Sequence, residues 1–401
     1  MKKRKSIKKF FTIVASISLL SSALSFNSSA EILDDRHDMI MERQETCQKE
    51  YEKLLLSFVD NNILDYPDEY GGIYFDNGTG ITTLCLTDIN KSIEYSSYFN
   101  DSILKFKKVE YSLDELNETY QFISKNMKEN NITTVSVSEK NNNIEISVPK
   151  DSDKSNVLDY INSNGFSTES IIFIENSAPE EYEIDSLSTN VNFAYSGSEM
   201  YAATSGATYV GTVGTNAYNP NTNQYGIITA GHMANISGTY SFKNSSSVVF
   251  NNNSGVNCIF GGVCDIAFIP FNSSNSFMST STLKNGNNTT CIYDTQPIVS
   301  PYMVGFEVVK YGTTTGKQTG VLTNLSSSIT YSDGTNISDM IKYDMNRAGG
   351  DSGAPMGIEY SNGDGLYFMG IHSGGSGTSC YATKYRNIVD NLGVVITEVT
   401  Q

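Results

Sequence analysis

The order of apolar and polar residues divides the chain into two regions, one with both helix and strand patterns and one with short strand patterns. In the first region, Ser112 with Glu115 three residues later predicts a capping box, and apolar residues follow it at helical spacing. The elements predicted here are a helix from about Met39 to Phe58, a helix after Ser112, a hairpin over 135–148 with a turn at 141–143, a short helix near 153–163 and a strand at 170–174. The first region is therefore predicted to be α+β.

A polar stretch over 176–197 follows and has no periodicity, as expected of an exposed linker. Beyond it, short apolar stretches recur between turn residues. The strands predicted for this second region are 209–213, 225–229, 247–250, 266–270, 307–311, 320–325, 341–345, 366–371 and 394–398, with a last helix near 386–391. Many short strands predict an all-β sandwich or barrel, and the length of the region suits two small barrels.

Residues 1–30 have the layout of a secretory signal. A basic stretch over 1–5 precedes an apolar run over 10–24, and small residues over 28–30 suit a cleavage site. The apolar run is too short for a stable membrane span, and no other run approaches the length of about 18 residues that a span needs. We therefore expect a secreted product without a membrane span.

Charge and cysteine content narrow the class of protein. The net charge is −17, and most of the acidic excess lies in residues 31–185, which argues against nucleic-acid binding there. Six cysteines in an exported chain favour disulfides over free thiols or a metal site. The candidate pairs are Cys47 with Cys85 in the first region, and Cys258 with Cys264 and Cys291 with Cys380 in the second. The sequence alone leaves this connectivity open.

Three short motifs in the second region combine the residue types of a nucleophilic hydrolase. An apolar strand ends on His232, Asp265 enters a second apolar strand, and Ser352 lies in a glycine-rich stretch. A serine hydroxyl needs a base to take its proton, histidine titrates in the right range, and a buried carboxylate fixes the imidazole tautomer. His232, Asp265 and Ser352 are therefore the candidate catalytic triad.

The same motifs also indicate which carboxylate completes the triad and which backbone N–H groups form the oxyanion hole. Asp265 is preferred as the carboxylate because the apolar residues after it would draw its strand into a core. The other aspartates between the histidine and the serine have more polar surroundings; they are Asp294, Asp333, Asp339 and Asp344. The backbone N–H groups of Gly350 and Ser352 are the candidate oxyanion hole, since glycine can adopt the backbone geometry that such a donor needs.

The segments Thr229–His232 and Gly350–Gly353 resemble the catalytic motifs of chymotrypsin-like serine peptidases. The bacterial branch with streptogrisins and alpha-lytic protease fits best, because Val308–Gly316 resembles its hairpin. The resemblance covers about residues 197–401 and implies two six-stranded antiparallel β-barrels with the triad at their interface. The chain departs from that branch at Met233, where those enzymes usually have cysteine, so their disulfide set does not carry over.

The resemblance also implies a precursor with a signal peptide at 1–30, an acidic α+β pro-region at 31–185 and a protease domain at 186–401. The pro-region would assist folding and act as an intramolecular inhibitor until it is cleaved. In the protease domain, an extended edge would pair with the backbone of a protein or peptide substrate as an added strand. The residues implied for this edge are Ser373, Gly374 and Gly375.

His372 lies directly before that edge, as in glutamyl endopeptidases and the related exfoliative toxins, where a histidine here contacts the acidic P1 side chain. Arg347 would lie on the wall of the same pocket, and an imidazole together with a guanidinium favours a carboxylate. The resemblance thus implies a preference for glutamate at P1. It also makes self-cleavage an expectation at the acidic residues near the linker, Glu180, Glu181, Glu183 and Glu199.

Two alternatives stay open at this point. His372 packed within its strand and Arg347 turned to solvent would leave a pocket for small or apolar P1 residues. A binding module without catalysis on the same fold is the other alternative, because a fold does not fix a function. No cofactor or metal is expected, since the three histidines, His37, His232 and His372, lack the spacing of metal ligands.

Overall fold

The computed structural model describes residues 36–60, 63–100, 102–150, 152–174, 195–234, 238–242, 248–271, 280–285, 288–293, 300–360 and 365–396. The predicted signal peptide, most of the linker and the glutamates at 180, 181 and 183 lie outside these residues. Among the described helices, none combines the length and the apolar character that crossing a membrane requires.

The helices are α1 over 36–57, α2 Ser92–Ser96, α3 Leu113–Ser124, α4 Lys154–Ser163, α5 Gly231–Ala234 and α6 Tyr385–Leu392, with a 3₁₀ turn at Ile89–Lys91. The strands of the first region are β1 Val59–Asp60, β2 Ile63–Leu64, β3 Tyr70–Asp76, β4 Ile81–Leu86, β5 Leu104–Lys108, β6 Thr134–Ser138, β7 Asn143–Ser147 and β8 Ile171–Phe173. Those of the second are β9 Tyr195–Ser196, β10 Glu199–Ala203, β11 Thr208–Thr212, β12 Thr215–Asn219, β13 Gln224–Thr229, β14 Thr239–Phe242, β15 Val248–Asn251, β16 Asn257–Gly261, β17 Cys264–Pro270, β18 Thr280–Asn285, β19 Asn288–Tyr293, β20 Glu307–Gly312, β21 Gly316–Thr330, β22 Asn336–Asp344, β23 Pro355–Glu359, β24 Gly365–Ser376, β25 Ser379–Lys384 and β26 Val395–Ile396.

The elements predicted for the first region are confirmed. The α3 helix begins with the capping box, because the Ser112 side chain accepts from the Glu115 N–H and the Glu115 carboxylate accepts from the Ser112 N–H. The β6–β7 pair is the predicted antiparallel hairpin, closed where Ser138 faces Asn143. The sequence pattern did not predict the three-stranded sheet β3-β4-β5, in which β4 and β5 are parallel.

The second region is mostly β, as predicted. Strands of its first half form a four-stranded sheet, β11-β10-β14-β15, and, together with the last strand β26, a five-stranded sheet, β16-β17-β13-β12-β26. In the five-stranded sheet, Ile227 faces Ile269 and Ile228 faces Phe268, and all four are buried because the strands have apolar residues on both faces. The described pairings give sheets of up to twelve strands, and closure into two six-stranded barrels stays a prediction.

The two regions share one sheet and one core. Strand β6 pairs antiparallel with the far end of β21, so the first-region hairpin extends the sheet of the second region. At this junction the Asn324 side-chain amide donates to the Val137 carbonyl at 2.7 Å, and the Ser136 and Ser327 hydroxyls bond at 2.9 Å. A single apolar cluster contains residues of both regions. The first region therefore covers a strand edge that the second region would otherwise expose.

The predicted disulfides are wrong. Among the described side chains, five cysteines are free thiols: Cys47, Cys85, Cys258, Cys264 and Cys380. The sixth, Cys291, has its side chain outside the described residues. Cys258 and Cys264 lie on neighbouring strands but out of register, since Cys258 faces Ala267 and Cys264 faces Gly261.

Strand geometry also keeps Cys47 and Cys85 of the first region apart. The Cys47 thiol lies 2.7 Å from the Thr82 hydroxyl, whereas strand alternation puts Cys85 on the opposite face of β4 from Thr82. Burial raises the pKa of Cys47 to about 11. In the second region, Cys380 directs its thiol to the Met345 carbonyl at 3.5 Å.

Candidate active site

His232 and Asp265 form a buried pair between β13 and β17. Gly231 starts the one-turn helix α5 and brings His232 close to these strands, where a Cβ at position 231 would lie only 2.3 Å from the Ile259 carbonyl oxygen. The imidazole Nδ1 lies 2.7 Å from Asp265 Oδ2, and the His232 backbone N–H donates to Asp265 Oδ1 at 2.8 Å. Both carboxylate oxygens therefore hold the histidine in place.

The Asp265 carboxylate is ionised in spite of its burial. Burial alone would raise the pKa of Asp265, but the opposing charge and hydrogen bonds of His232, together with the Ser373 hydroxyl, hold that pKa below its usual range. An ionised carboxylate at this position can stabilise an imidazolium on His232.

Ser352 lies in the loop between β22 and β23, and the side chains of neighbouring threonines fix this loop. Thr212 donates its hydroxyl to the Gly350 carbonyl at 2.7 Å and its backbone N–H to the Ser352 carbonyl at 2.8 Å. Thr314 donates to the Gly349 carbonyl at 2.5 Å. The Ser352 hydroxyl itself donates to the Ser373 carbonyl at 3.2 Å. It must therefore turn towards the imidazole before it can transfer a proton there.

Gly350 has a backbone conformation that suits its predicted role as an oxyanion donor. Its φ of +90° lies in the region that side chains rarely adopt, and a Cβ there would meet Thr314 Oγ1 at 2.4 Å. Within the described part of the chain, the N–H groups of Gly350 and Ser352 donate to no other group. These two donors are thus available to a developing oxyanion.

The Asp351 side chain fixes the same loop through its contacts with buried neighbours. Its carboxylate pairs with Lys310 Nζ at 2.6 Å, and both side chains are fully buried. The carboxylate also accepts from the Thr315 hydroxyl at 2.7 Å and from the Ala348 N–H at 3.1 Å. An ion pair with this many partners fixes the residue between the two candidate oxyanion donors.

A chain of hydroxyl groups continues from Asp265 into the β21–β22 hairpin. Ser373 donates its hydroxyl to Asp265 Oδ2, and the Tyr331 hydroxyl is hydrogen-bonded to Ser373. Tyr331 directly follows β21, and its ring packs against Phe260, whose ring in turn lies 6.0 Å from that of His232. The aromatic and hydroxyl contacts together enclose the carboxylate–imidazole pair.

Of the two specificity residues predicted from the sequence, Arg347 lies in the Ser352 loop and His372 lies beside it on β24. The His372 backbone N–H donates to the Ala354 carbonyl at 2.8 Å, and the His372 carbonyl accepts from the Gly353 N–H at 2.9 Å. The imidazole is buried, and Nδ1 lies 2.6 Å from the Tyr343 hydroxyl. Burial, followed by the positive charges of Lys310 and Arg347, holds the pKa of His372 well below its usual range.

The residues of the predicted substrate edge follow His372 on strand β24. Beyond His372, strand β24 continues through Ser373 and Gly374, and Gly374 and Gly375 face Tyr381 and Cys380 of β25. In the described part of the chain, β23 pairs with β24 only as far as Ile371. No described strand pairs with the other side of the 373–375 segment.

A comparison with curated proteins now identifies the family. Glutamyl endopeptidase 2 of Streptomyces griseus is 32% identical to this chain over 161 residues, which are 38% of this chain and 72% of that protein. The chain belongs to the chymotrypsin-like serine endopeptidases. A scan against protein-family models found no match.

Solved structures similar to this chain include three proteases. Thermobifida fusca protease A has a TM-score of 0.40 at 20% identity, covering 51% of this chain and 98% of that one. A Nocardiopsis protease has a TM-score of 0.39 at 23% identity, covering 51% and 98%. A glutamic-acid-specific serine protease that uses a histidine triad in substrate binding has a TM-score of 0.38 at 23% identity, covering 51% and 100%.

The sequence pattern did not indicate three residues of this candidate site: Lys310, Tyr331 and Tyr343. Each reaches its partner across 29 to 42 positions of the chain, so no local spacing marks the pair. Only Lys310 carries a signal, since a lysine inside the apolar strand Val308–Tyr311 requires a buried counter-charge. The two tyrosines match the many other aromatic residues of a β-rich chain.

Proposed function

We propose that this endopeptidase hydrolyses peptide bonds through His232, Asp265 and Ser352. The observation that carries the proposal is the buried Asp265–His232 pair beside the Ser352 loop. Because the carboxylate accepts from imidazole Nδ1 at 2.7 Å, the other ring nitrogen, Nε2, serves as the base for the serine proton. Asp265 orients the ring and stabilises its positive charge.

The reaction then proceeds in two stages, acylation of Ser352 and deacylation by water. Ser352 Oγ bonds to the substrate carbonyl carbon while its proton moves to His232 Nε2, and the carbonyl electron pair becomes an oxyanion held by the N–H groups of Gly350 and Ser352. Collapse of this intermediate breaks the C–N bond, and the Nε2 proton passes to the leaving amine. Water then attacks the acyl-enzyme while its proton moves to His232 Nε2. Collapse of the second intermediate breaks the ester bond, returns the proton to Ser352 Oγ and releases the carboxylic acid product.

A covalent probe tests the triad. A fluorophosphonate should phosphonylate Ser352 Oγ with loss of fluoride, and peptide mapping should find the adduct on that residue alone. His232→Ala should slow labelling strongly, since the hydroxyl then loses its base. Folded protein that stays unlabelled, or is labelled elsewhere, would contradict the triad and favour the binding-module alternative.

We further propose that the P1 pocket prefers glutamate. In support, His372 is adjacent to the Ser352 loop, and the Arg347 charge acts on the His372 imidazole. The relative named glutamyl endopeptidase adds to this support. His372→Ala should lower kcat/KM for glutamate at P1 selectively, whereas an enzyme with a small or apolar pocket would keep its preference.

The precursor organisation completes the proposal. We expect secretion through residues 1–30, inhibition by the acidic region 31–185 and a protease domain at 186–401. Self-cleavage after one of the glutamates at 180, 181, 183 or 199 would release the mature enzyme. Mass spectrometry of the secreted protein should find a mature N-terminus between about 181 and 200 that Ser352→Ala abolishes, because removal of the nucleophile stops acylation. An N-terminus elsewhere, unchanged in that variant, would contradict self-processing.

A further inference from the structure

The buried imidazole of His372 has a single side-chain hydrogen-bond partner among the described residues, the Tyr343 hydroxyl. Nδ1 and the hydroxyl oxygen are 2.6 Å apart, and the two rings meet edge to face with centroids 6.0 Å apart. Tyr343 is fully buried on β22, between Leu322 of β21 and Cys380 of β25. The strand pairing therefore holds the tyrosine rigidly against His372.

The direction of this hydrogen bond depends on whether the Tyr343 phenol keeps its proton and on which nitrogen of His372 carries one. Burial, followed by nearby thiol and carboxylate groups, raises the pKa of Tyr343 well above its usual range, so the phenol keeps its proton. Burial, followed by the charges of Lys310 and Arg347, lowers the pKa of His372, so the imidazole is neutral. A neutral imidazole carries one N–H, on either Nδ1 or Nε2.

Only one of the two tautomers gives the phenol O–H a partner. With the proton on Nε2, the tyrosine donates to Nδ1, and the Nε2–H stays available to a substrate group. With the proton on Nδ1, the imidazole would donate to the phenol oxygen, and the phenol O–H would need an acceptor that the described residues do not provide. A buried donor without a partner costs about 1–3 kcal/mol, so the first arrangement is preferred.

We propose that Tyr343 is a positioning residue that holds His372 in the Nε2–H form, so that the imidazole presents a donor to an acidic P1 side chain. The proposal rests on the acidic preference proposed above. A carboxylate accepts hydrogen bonds only, so the opposite tautomer would turn an acceptor lone pair towards it and repel it. Tyr343 thus selects glutamate over glutamine, whose amide group can pair with either tautomer.

Tyr343→Phe removes the hydroxyl and keeps the ring. Tyr311→Phe is the matched control, because it removes another buried tyrosine hydroxyl, one that donates to Glu359 at 2.8 Å. Both variants and the wild type would be produced from the full chain and assayed on two peptides that differ only in glutamate or glutamine at P1. We expect the ratio of the two kcat/KM values to fall about 10-fold in Tyr343→Phe, equal to about 1.4 kcal/mol, and to stay unchanged in Tyr311→Phe.

Nuclear magnetic resonance tests the tautomer directly and does not depend on a substrate. Histidine-selective ¹⁵N labelling suits this chain because it has only three histidines. In full-chain Ser352→Ala, the His372 spectrum should show a protonated Nε2 and an unprotonated Nδ1. The Tyr343→Phe change in that background should mix or invert this pattern.

The outcomes separate the two proposals. A wild type that prefers glutamate, with the preference retained in Tyr343→Phe, would overturn the role of Tyr343 and leave the acidic pocket standing. A protonated Nδ1 on His372 would overturn it as well, even if the phenylalanine variant did not fold. A wild type that cuts equally after glutamate and glutamine would overturn the acidic preference, and the tautomer spectrum would then decide the role of Tyr343 on its own.

Discussion

At the scale of single residues, the candidate site depends on hydrogen bonds that enclose Asp265. The Tyr331 hydroxyl is bonded to Ser373, which donates to the carboxylate. Removing a neutral hydrogen bond costs about 1 kcal/mol, so Tyr331→Phe should lower kcat by roughly 5-fold while KM stays near its wild-type value. Stopped-flow or steady-state kinetics on one peptide measure this. An unchanged kcat would show that the hydroxyl does not support the carboxylate.

The Lys310–Asp351 ion pair gives a second residue-scale prediction. Both side chains are fully buried, so Lys310→Met would leave an uncompensated carboxylate next to Ser352. Breaking such a pair costs about 3–5 kcal/mol of the free energy of unfolding. Lys317→Met is the matched control, since the Lys317–Glu359 pair is partly exposed and such pairs contribute about 0–1 kcal/mol. Equal losses in urea unfolding of the two variants would contradict the buried ion pair as an anchor.

At the scale of elements, Glu139 makes the packing between β6 and β3 sensitive to pH. It follows β6, is buried, and accepts from the Ile73 N–H of β3 at 2.9 Å. Burial raises the pKa of Glu139 to about 7 from an ordinary value near 4.5, against the lowering effects of that hydrogen bond and of Lys384. The folded state therefore binds the proton more tightly than the unfolded state.

Because the folded state holds more protons between these two values, stability should fall as pH rises from about 4.5 to about 7, by up to about 3 kcal/mol. Glu139→Gln should remove this slope in full-chain Ser352→Ala, and Glu118→Gln, at an exposed position, should leave it. Urea unfolding at pH 5 and pH 8 measures both. A slope that survives in Glu139→Gln would assign the pH dependence to other groups.

The elements also show how far the sequence pattern reaches. Helix α3 was predictable because its capping box and apolar spacing are local. Strand β4 was not, because five of its six residues are buried and no alternation marks one face. The parallel pairing of β4 with β5 joins strands that are distant in the chain. The disulfide prediction was wrong for a related reason, since the register of β16 and β17 separates Cys258 from Cys264.

At the scale of the whole molecule, the three residues of the proposed triad come from three short motifs that are each weak alone. The sequence pointed to them because their types and order match one chemistry. It did not point to Lys310, Tyr331 or Tyr343, because tertiary contacts alone bring these to the site. The first region contributes to the same assembly, since β6 pairs with the strand that leads directly into Tyr331.

The most direct test of the account is a mass-spectrometric cleavage profile of the secreted protein on a diverse peptide library, with Ser352→Ala alongside. We predict cuts concentrated after glutamate in the wild type and none in the variant, because in the proposed mechanism Ser352 is the nucleophile and His372 with Arg347 recognises the P1 carboxylate. Cuts after small or apolar residues would contradict the acidic pocket. Cuts that persist in Ser352→Ala, or none from correctly matured wild-type protein, would contradict the triad itself.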